Sequence, residues 1–254
     1  MKEILVDEKH RQLKSVDGVV YDRALKTLIR CPGGKTGSYE ALPTTVTIAT
    51  LAFENCSNLT TVQLPQGLKM IGDMSFRGCE GLTHIYLPST LASFGYSAFA
   101  GCSGLTSITI PASVDSIARY AFSRCDSLTE VYFQGDAPKL EDNVFSEAGD
   151  NFGIYFKQGQ SGFTFPDWHG HPVQRLPRDD PRFNRARAVA NTITGDRTRV
   201  WTDATGQYSV EAEFVSLSGN VVTLLKPDGE VAKLALDRLG ATDQDLVRKL
   251  AVGD

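Results

Sequence analysis

The stretch that decides the fold is Phe76-Arg-Gly-Cys79-Glu-Gly-Leu82-Thr-His-Ile85-Tyr-Leu87-Pro88, because its pattern returns along the chain every 23 residues. The recurring positions are Phe53, Phe76, Phe99, Phe122 and Phe145, then Cys56, Cys79, Cys102 and Cys125, then Leu59, Leu82, Leu105 and Leu128. Self-similarity at such a period predicts a solenoid, in which each repeat buries its apolar face only against its neighbours. Solenoids usually present an extended binding surface, so the pattern predicts a binding protein.

Each repeat ends in a short run of alternating apolar and polar residues, of the form L-x-x-[IV]-x-[LIF]. A period of two predicts a short strand with alternate side chains directed inward. Pro65, Pro88 and Pro111 end these strands, because proline lacks the N–H that a sheet ladder requires. The segment [AS]-F-x-x-C is predicted to form a short helical turn that places the aromatic ring in the core.

The strict repeats run from about residue 42 to 145, and residues 1–39 and 140–173 are predicted to cap the two ends. Residues 16–21 and 27–30 predict a hairpin in the first cap, and residues 153–156 one more strand in the second. The sequence therefore predicts a solenoid domain over residues 1–173, with short parallel strands joined by helical or irregular turns.

Composition excludes several classes of function. Hydrophobic residues make up 41%, charged residues 22%, and the net charge is −4, which gives no clustered positive surface for nucleic acid. No stretch approaches the roughly 18 to 20 apolar residues of a membrane span. The N-terminus is too polar for a signal peptide. We expect a cytoplasmic protein if Met1 is the true start, and a secreted or cell-surface one if an upstream signal sequence is missing.

Four of the five cysteines occupy one repeat position, so their side chains are predicted to point the same way along the solenoid. A disulfide needs Cβ atoms that converge, which a ladder of parallel vectors does not provide. The spacing also lacks the short cysteine pairs of zinc sites. We expect buried free thiols that act as small hydrophobes. Cys31 lies outside this ladder and is the one candidate for a reactive thiol.

The repeat [AS]-F-x-x-C-x-x-L-x-x-[IV]-x-[LI]-P resembles the BspA-like class of bacterial leucine-rich repeats. The stretches 16–22 and 27–39 also resemble segments that interrupt such arrays. The resemblance covers residues 1–173 and implies a curved solenoid with a parallel sheet, in a class whose members are often surface or adhesion proteins.

The predicted interaction surface is the concave face of that solenoid, where strand residues alternate outward. About six strands at ~4.8 Å give a sheet only ~25 Å wide, suited to a modest interface. Tyr86 and Tyr132 are the predicted contact centres, since exposed aromatic residues are enriched at binding hot spots. The candidate protein-binding residues are Thr61, Gln63, His84, Tyr86, Ser107, Thr109, Glu130 and Tyr132.

Residues 174–197 are predicted to be a linker, because proline and charged residues replace the apolar periodicity. A nucleic-acid-binding tail is the alternative, but Phe183 is its one interleaved aromatic residue. Residues 198–250 then show three strand-like runs, at 210–217, 221–225 and 231–236. Thr242 is a predicted N-cap for a helix over 243–250. This pattern predicts a small all-β SH3-like barrel with a terminal helix.

The second domain carries its own resemblance. Residues 199–214, with Trp201, Asp203, Gly206 and Tyr208, resemble the first homology domain of the fungal Sla-type cytoskeletal and endocytic adaptors. That resemblance implies binding of Asn-Pro-Phe-x-Asp peptides, cytoskeletal-protein binding and an adaptor role. Since bacteria lack this endocytic machinery, the resemblance does not identify the binding partner of this domain. Candidate basic contacts for the peptide's acidic residue are Lys226, Lys233 and Arg238.

No motif argues for catalysis or a cofactor. Residues 32–37 resemble a phosphate loop only in part, because Ile29 stands where that motif needs glycine. An enzyme using Cys31, His169 and His171 is the weakest hypothesis. The leading one is a non-enzymatic interaction scaffold or adaptor with protein or peptide ligands. The alternative is a structural or adhesive surface repeat protein whose barrel has no ligand. The sequence leaves the oligomeric state open.

Overall fold

Each repeat of the solenoid contributes two short strands, one on either side of the phenylalanine turn. The computed structural model describes residues 1–178, 180–184, 198–202, 209–218, 220–225, 231–241, 243, 244 and 247. Contacts divide the chain into two compact units, Met1–Ala186 and Arg187–Asp254. The first is a parallel β-solenoid of about seven turns. The leucine-rich repeat solenoid predicted for this part of the chain is confirmed.

The first unit opens with an antiparallel meander of β1 (Leu13–Val16), β2 (Val19–Asp22) and β3 (Thr27–Arg30), which confirms the predicted hairpin. Two sets of parallel strands follow. The longer set, after each repeat's leucine position, is β4 (Gly37–Glu40), β6 (Leu59–Gln63), β8 (His84–Tyr86), β10 (Ser107–Ile110), β12 (Glu130–Phe133), β14 (Gly153–Lys157) and β16 (His171–Leu176). The two-residue set is β5 (Thr47–Ile48), β7 (Met70–Ile71), β9 (Ser93–Phe94), β11 (Ser116–Ile117) and β13 (Lys139–Leu140).

The two sets build the two sides of the solenoid. The two-residue strands continue in parallel from β3 into one eight-stranded sheet that ends at β13. The longer strands form a three-stranded sheet, β4-β6-β8, and a five-stranded sheet, β10-β12-β14-β16-β15, in which β15 (Asp167–Trp168) is antiparallel to β16. The predicted strand over 153–156 is β14, and it continues the parallel ladder beyond the strict repeats.

A stack of phenylalanine rings runs through the core. The ring centroids are 4.7 Å apart between Phe53 and Phe76, 4.9 Å between Phe76 and Phe99, and 5.2 Å between Phe99 and Phe122. Phe145 follows at 5.7 Å. All five rings are buried, as the 23-residue spacing predicts.

The predicted helical turn around each phenylalanine is a turn without a regular helix, and it places the ring in the core as predicted. Residues two before and two after each ring have left-handed backbone, as at Met74 (φ 51°) and Gly78 (φ 70°) in the second repeat. The backbone N–H of Phe76 donates to the carbonyl of Ala98 in the next repeat, at 2.8 Å. These amides therefore bond along the solenoid axis, where a helix would bond them within one repeat.

The cysteines form a second ladder beside the rings. All five are free and buried. The thiols of Cys79, Cys102 and Cys125 each donate to the carbonyl of the phenylalanine one repeat earlier, at 3.1, 3.2 and 3.2 Å. Burial raises the pKa of all three thiols. The prediction of buried free thiols is confirmed.

The second unit contains an antiparallel meander. Its strands are β17 (Thr198–Thr202), β18 (Ser209–Ser218), β19 (Val221–Leu225) and β20 (Val231–Ala235), paired in that order. β18 and β19 contain the strands predicted over 210–217 and 221–225, and β20 ends one residue before the predicted bound at 236. A 3₁₀ helix over Leu236–Arg238 follows, and Ala241, Asp243, Gln244 and Val247 are helical. The predicted N-cap, Thr242, lies outside the described residues.

The second unit has its own core. The buried side chains are Trp201, Val222, Leu224, Leu236, Leu239 and Val247. Among the residues that the structure describes in both units, no helix has the length and apolar character needed to cross a membrane.

Candidate protein-interaction surface

The outward side chains of β6, β8, β10 and β12 form the candidate surface, which we call the ladder face. Strand pairing aligns Thr61 with His84 and Gln63 with Tyr86 in the first sheet. In the second sheet it aligns Ser107 with Glu130 and Thr109 with Tyr132. The predicted side chains therefore form two in-register rows in each sheet.

The opposite side of these strands faces the solenoid core. Val62, Ile85, Ile108 and Val131 are all buried there. The alternation that put the eight candidate residues on the other side is therefore present in the structure.

Exposure differs along the ladder face. His84 is exposed, while Gln63, Tyr86, Ser107, Thr109 and Glu130 are half-buried. Thr61 is 8% exposed and contributes little accessible surface.

Tyr86 is a partly desolvated aromatic residue near the middle of the face. Burial raises the pKa of its hydroxyl. Within the described part of the chain that hydroxyl is buried and has no hydrogen-bond partner. A buried hydroxyl without a partner costs about 1–3 kcal/mol, so this position favours binding through the partly exposed ring.

Tyr132 is 1% exposed, so the expectation of an exposed contact residue is wrong for this position. Its ring stacks on Tyr155 with centroids 5.0 Å apart, and the Phe183 ring meets it edge-on at 5.6 Å. Tyr132, Leu176 and Phe183 form a cluster separate from the solenoid core. Strand alternation placed Tyr132 on the correct side, and a later segment of the chain covers it.

Sequence reasoning missed four residues of this covered area: Gln134, Tyr155, Lys157 and Phe183. Tyr155 had a usable signal, because it pairs with Tyr132 and stands one repeat interval after it. Phe183 is an isolated aromatic residue in a proline- and arginine-rich segment. Its contact with Tyr132 had no periodic signal.

Cys31 is the cysteine outside the repeat ladder. It is fully buried, and the Cys56 thiol beside it together with burial raises the pKa of Cys31. Because the thiolate is the reactive form, this environment opposes reaction. Burial thus opposes the reactivity that the sequence suggested for Cys31, which stays untested as a prediction.

The two candidate histidines lie at the other end of the phenylalanine stack. Cys31 lies beside the first repeat, since its backbone N–H donates a hydrogen bond to the Ala52 carbonyl. The His171 ring instead packs edge-on against Phe145 at 5.7 Å and Phe152 at 5.0 Å, and His169 contacts Trp168. The three residues of the enzyme hypothesis are therefore not brought together. Among the described residues, no group of three acidic, histidine or cysteine side chains is placed to hold a metal.

The basic candidates of the second unit are only partly described. Lys233 lies within β20, and Arg238 is exposed at the end of the 3₁₀ helix. Lys226 lies outside the described residues. A peptide site built on these three stays a prediction.

Comparison with protein families gives two matches. Residues 40–152 match the BspA type Leucine rich repeat region in six copies. Residues 191–253 match SLA1 homology domain 1. Both resemblances stated from the sequence are thereby confirmed. Among curated proteins, none matches this chain.

Three solved structures that are similar to this solenoid come from bacteria. A leucine rich cell surface protein from Faecalibacterium prausnitzii is 26% identical with a TM-score of 0.56, and the alignment covers 66% of this chain and 43% of that one. A leucine-rich repeat protein from Eubacterium ventriosum is 22% identical with a TM-score of 0.58, covering 66% and 49%. The pneumococcal vaccine antigen PcpA is 24% identical with a TM-score of 0.50, covering 62% and 45%. The matched part is thus less than half of each of these proteins.

Proposed function

Because residues 40–152 form a BspA-type leucine-rich repeat region and residues 191–253 match SLA1 homology domain 1, we propose that this chain is a non-enzymatic scaffold that binds proteins through both parts. Both kinds of domain generally mediate protein interactions. The observation that carries the proposal is the ladder face, where two parallel sheets hold polar and aromatic side chains in register.

The physical advantage of such a face is preorganisation. Backbone hydrogen bonds between repeats fix the strands, so binding need not order the main chain and loses less entropy. Neighbouring strands hold equivalent side chains about 4.8 Å apart. His84, Tyr86 and Thr109 lie at the accessible part of the face and are the proposed contact residues.

The test compares one tyrosine on the face with one off it. The full chain would serve as bait with photo-crosslinking to identify a bound protein, followed by affinity measurements on that purified partner. Tyr86→Ala should weaken binding by tenfold or more, which is about 1.4 kcal/mol. Tyr96→Ala is the matched control, because Tyr96 is 41% exposed and follows β9 in the opposite sheet. Equal losses in the two variants would place the interface elsewhere.

For the second unit we propose peptide binding of the type its family resemblance implies. The ligand is an extended Asn-Pro-Phe-x-Asp peptide, with Lys226, Lys233 or Arg238 meeting its aspartate. A short motif makes few contacts, so the affinity should be micromolar, or about −8 kcal/mol. It should weaken with salt, because exposed charges are screened.

This proposal is tested by titrating isotope-labelled full chain with that peptide and with a version carrying alanine for phenylalanine. Shifts confined to the second unit and seen only with the phenylalanine peptide support it. An unchanged spectrum at millimolar peptide removes the peptide-binding role.

The second candidate is an adhesive surface protein in which the C-terminal domain has no ligand. The observation that favours it is the similarity to the Faecalibacterium protein, which is a cell surface protein. Location separates the two proposals: antibody labelling of intact cells expressing the natural gene should detect the solenoid on the outside for the adhesive role.

A further inference from the structure

A segment of the chain itself lies on the ladder face. Residues 181–184 form a 3₁₀ helix just after the solenoid's last strand. Phe183 in this helix is 1% exposed, because its ring packs edge-on against Tyr132 and lies in a cluster with Leu176 and Tyr155. The recess that receives it is formed by Tyr132, Tyr155 and Leu176, which come from β12, β14 and β16.

Polar and charged contacts fix the segment in one position. The Gln134 side-chain amide donates to the carbonyl of Phe183 at 3.1 Å. The ammonium group of Lys157 stands 5.0 Å from the Phe183 ring centroid. The Arg182 guanidinium lies 5.7 Å from the Tyr155 ring centroid, a cation–π distance.

Asp180 holds Arg182 in that position. Its carboxylate accepts two bonds from the guanidinium, from Nε at 2.9 Å and from Nη2 at 2.8 Å. Since this fork is planar, it orients the guanidinium. The Phe183 ring thus contacts Tyr132, and the Phe183 carbonyl contacts Gln134. The Arg182 guanidinium lies against Tyr155.

The recess lies outside the solenoid core. Val131 and Phe133, the neighbours of Tyr132 on β12, point the other way into the continuous core. The solenoid core is therefore complete without the recess. The segment that occupies the recess does not have the repeat pattern. Buried aromatic rings and arginine at the centre of a contact are the features of a binding hot spot.

We propose that the recess of Tyr132, Tyr155, Leu176 and Gln134 is a peptide-binding site for an Arg-Phe pair, and that residues 180–184 are its built-in occupant. This deepens the proposed function, because it places a second, covered site on the ladder face and gives the chemistry of its ligand. A partner peptide must displace a tethered competitor, whose effective concentration is on the order of millimolar for a short connection. The apparent affinity is reduced by the fraction of molecules with a free recess.

The test is a trans-binding assay on the full chain. The probe is a fluorescent peptide of residues 177–187, Pro-Arg-Asp-Asp-Pro-Arg-Phe-Asn-Arg-Ala-Arg. The Phe183→Ala variant, with its own occupant weakened, should bind this peptide at least tenfold more tightly than the unchanged chain. A peptide of the same charge with alanine for phenylalanine should not bind. Tyr155→Ala added to Phe183→Ala should abolish binding. A folded Phe183→Ala chain that binds both peptides equally, or neither, overturns the inference.

A second experiment decides the case if Phe183→Ala does not fold. A protease site inserted after Pro177 is cut in the folded full chain, which converts the occupant into a separate fragment. Dissociation on dilution, with the solenoid still folded and able to bind the labelled peptide, supports the inference. Permanent retention, or unfolding on release, identifies the segment as part of the fold and overturns it. If the peptide fails while Tyr86→Ala still weakens partner binding, this inference falls and the proposed function stands.

Discussion

The phenylalanine rings stabilise the solenoid by contacts that each ring makes twice. The planes of Phe76, Phe99 and Phe122 are within 2° of parallel from one ring to the next. Parallel aromatic rings attract when they are offset, and such pairs contribute about 0.5–1.5 kcal/mol beyond the burial of area. Phe99 is the middle ring of five, so its loss removes two such contacts and leaves a cavity.

We therefore expect Phe99→Ala to lower the free energy of unfolding by about 3–5 kcal/mol, measured by denaturant titration. Nearest-neighbour coupling should carry the loss into the adjacent repeats, seen as faster hydrogen exchange at Phe76 and Phe122. Met70→Ala is the control, because Met70 is 48% exposed and its loss should cost under ~1 kcal/mol. Faster exchange confined to the turn of residue 99 would contradict a cooperative stack.

For single residues, the sequence predicted well which way each side chain points along the solenoid. It did not predict which outward side chains are covered by another part of the chain. The 23-residue interval was enough to predict that every phenylalanine and cysteine of the ladder is buried, because equivalent residues in a solenoid share one environment. It also placed Tyr132 outward. What covers Tyr132 is Phe183, which belongs to no repeat, so its position depends on three-dimensional contacts that a single sequence does not display.

Turns between the two strands of each repeat are the elements that store backbone strain. The position two residues after each phenylalanine is left-handed throughout, and it holds Asn55, Gly78, Gly101, Arg124 and Glu147. Side chains with a Cβ pay about 1–2 kcal/mol there, whereas glycine does not. Two repeats thus have glycine at this position, and the other three have a residue with a Cβ atom.

Arg124→Gly should consequently raise the free energy of unfolding by up to about 1 kcal/mol, the strain relieved less glycine's entropy cost. Its ion pair with Glu147, at 3.8 Å, is largely exposed and contributes little. Arg77→Gly is the matched control, since Arg77 has no left-handed backbone and should lose about 0.5–1 kcal/mol. Denaturant titration of both variants gives the comparison. Loss of stability in both would show that the turn is not strained.

The C-terminal cap contains a pH-sensitive side chain. Burial against Phe145 and Phe152 lowers the pKa of His171 below its ordinary value of 6.5. The folded protein therefore favours the neutral ring, and the unfolded chain binds the proton more readily. The stabilising contribution is complete above about pH 6.5 and is lost as the pH falls from there towards the lower folded pKa.

Thermal unfolding at pH 7.5 and pH 5.5 measures this. The unchanged chain should melt at a lower temperature at pH 5.5, and His171→Phe, which keeps the edge-on ring contacts, should show a smaller difference. His84→Phe is the control, because His84 is exposed on the ladder face and its variant should keep the original pH dependence. A His171→Phe chain with an unchanged pH dependence would assign the effect to another group.

The two-residue strands show why some elements escaped prediction. Ile48, Ile71, Phe94, Ile117 and Leu140 recur at the repeat interval, so an apolar position was visible. A strand of two residues has no alternation to recognise, and its sheet exists only because seven turns stack. The longer strands β6, β8, β10 and β12 lie within the alternating runs that predicted them, whereas β4 and β16 were not predicted as strands.

For the molecule as a whole, the two compact units have separate cores. The solenoid buries its aromatic stack, and the C-terminal unit buries Trp201 with Leu224, Leu236 and Val247. Separate cores predict separate folding, since each unit removes its own apolar surface from water. The Phe99→Ala change should accordingly leave the second unit's unfolding midpoint unchanged.

We expect residues 187–254, and the shorter segment 198–250, to fold when produced alone. The measurement is a two-dimensional amide spectrum of each fragment compared with that of the full chain. Dispersed signals that superimpose on the full-chain signals are the expected result. Collapsed signals from both fragments would mean that the second core needs the solenoid.

Backbone hydrogen bonds from the Phe53 amide to the Ser75 carbonyl, and from the Phe76 amide to the Ala98 carbonyl, also determine how the solenoid responds to pulling. A tension applied between its ends loads successive repeats in series, so the weakest repeat opens first and the others stay closed. Each opened repeat changes from about 4.8 Å of axial length to roughly 80 Å of extended chain. We therefore expect the solenoid to lengthen in steps of one repeat, while a ligand held on unopened repeats stays bound.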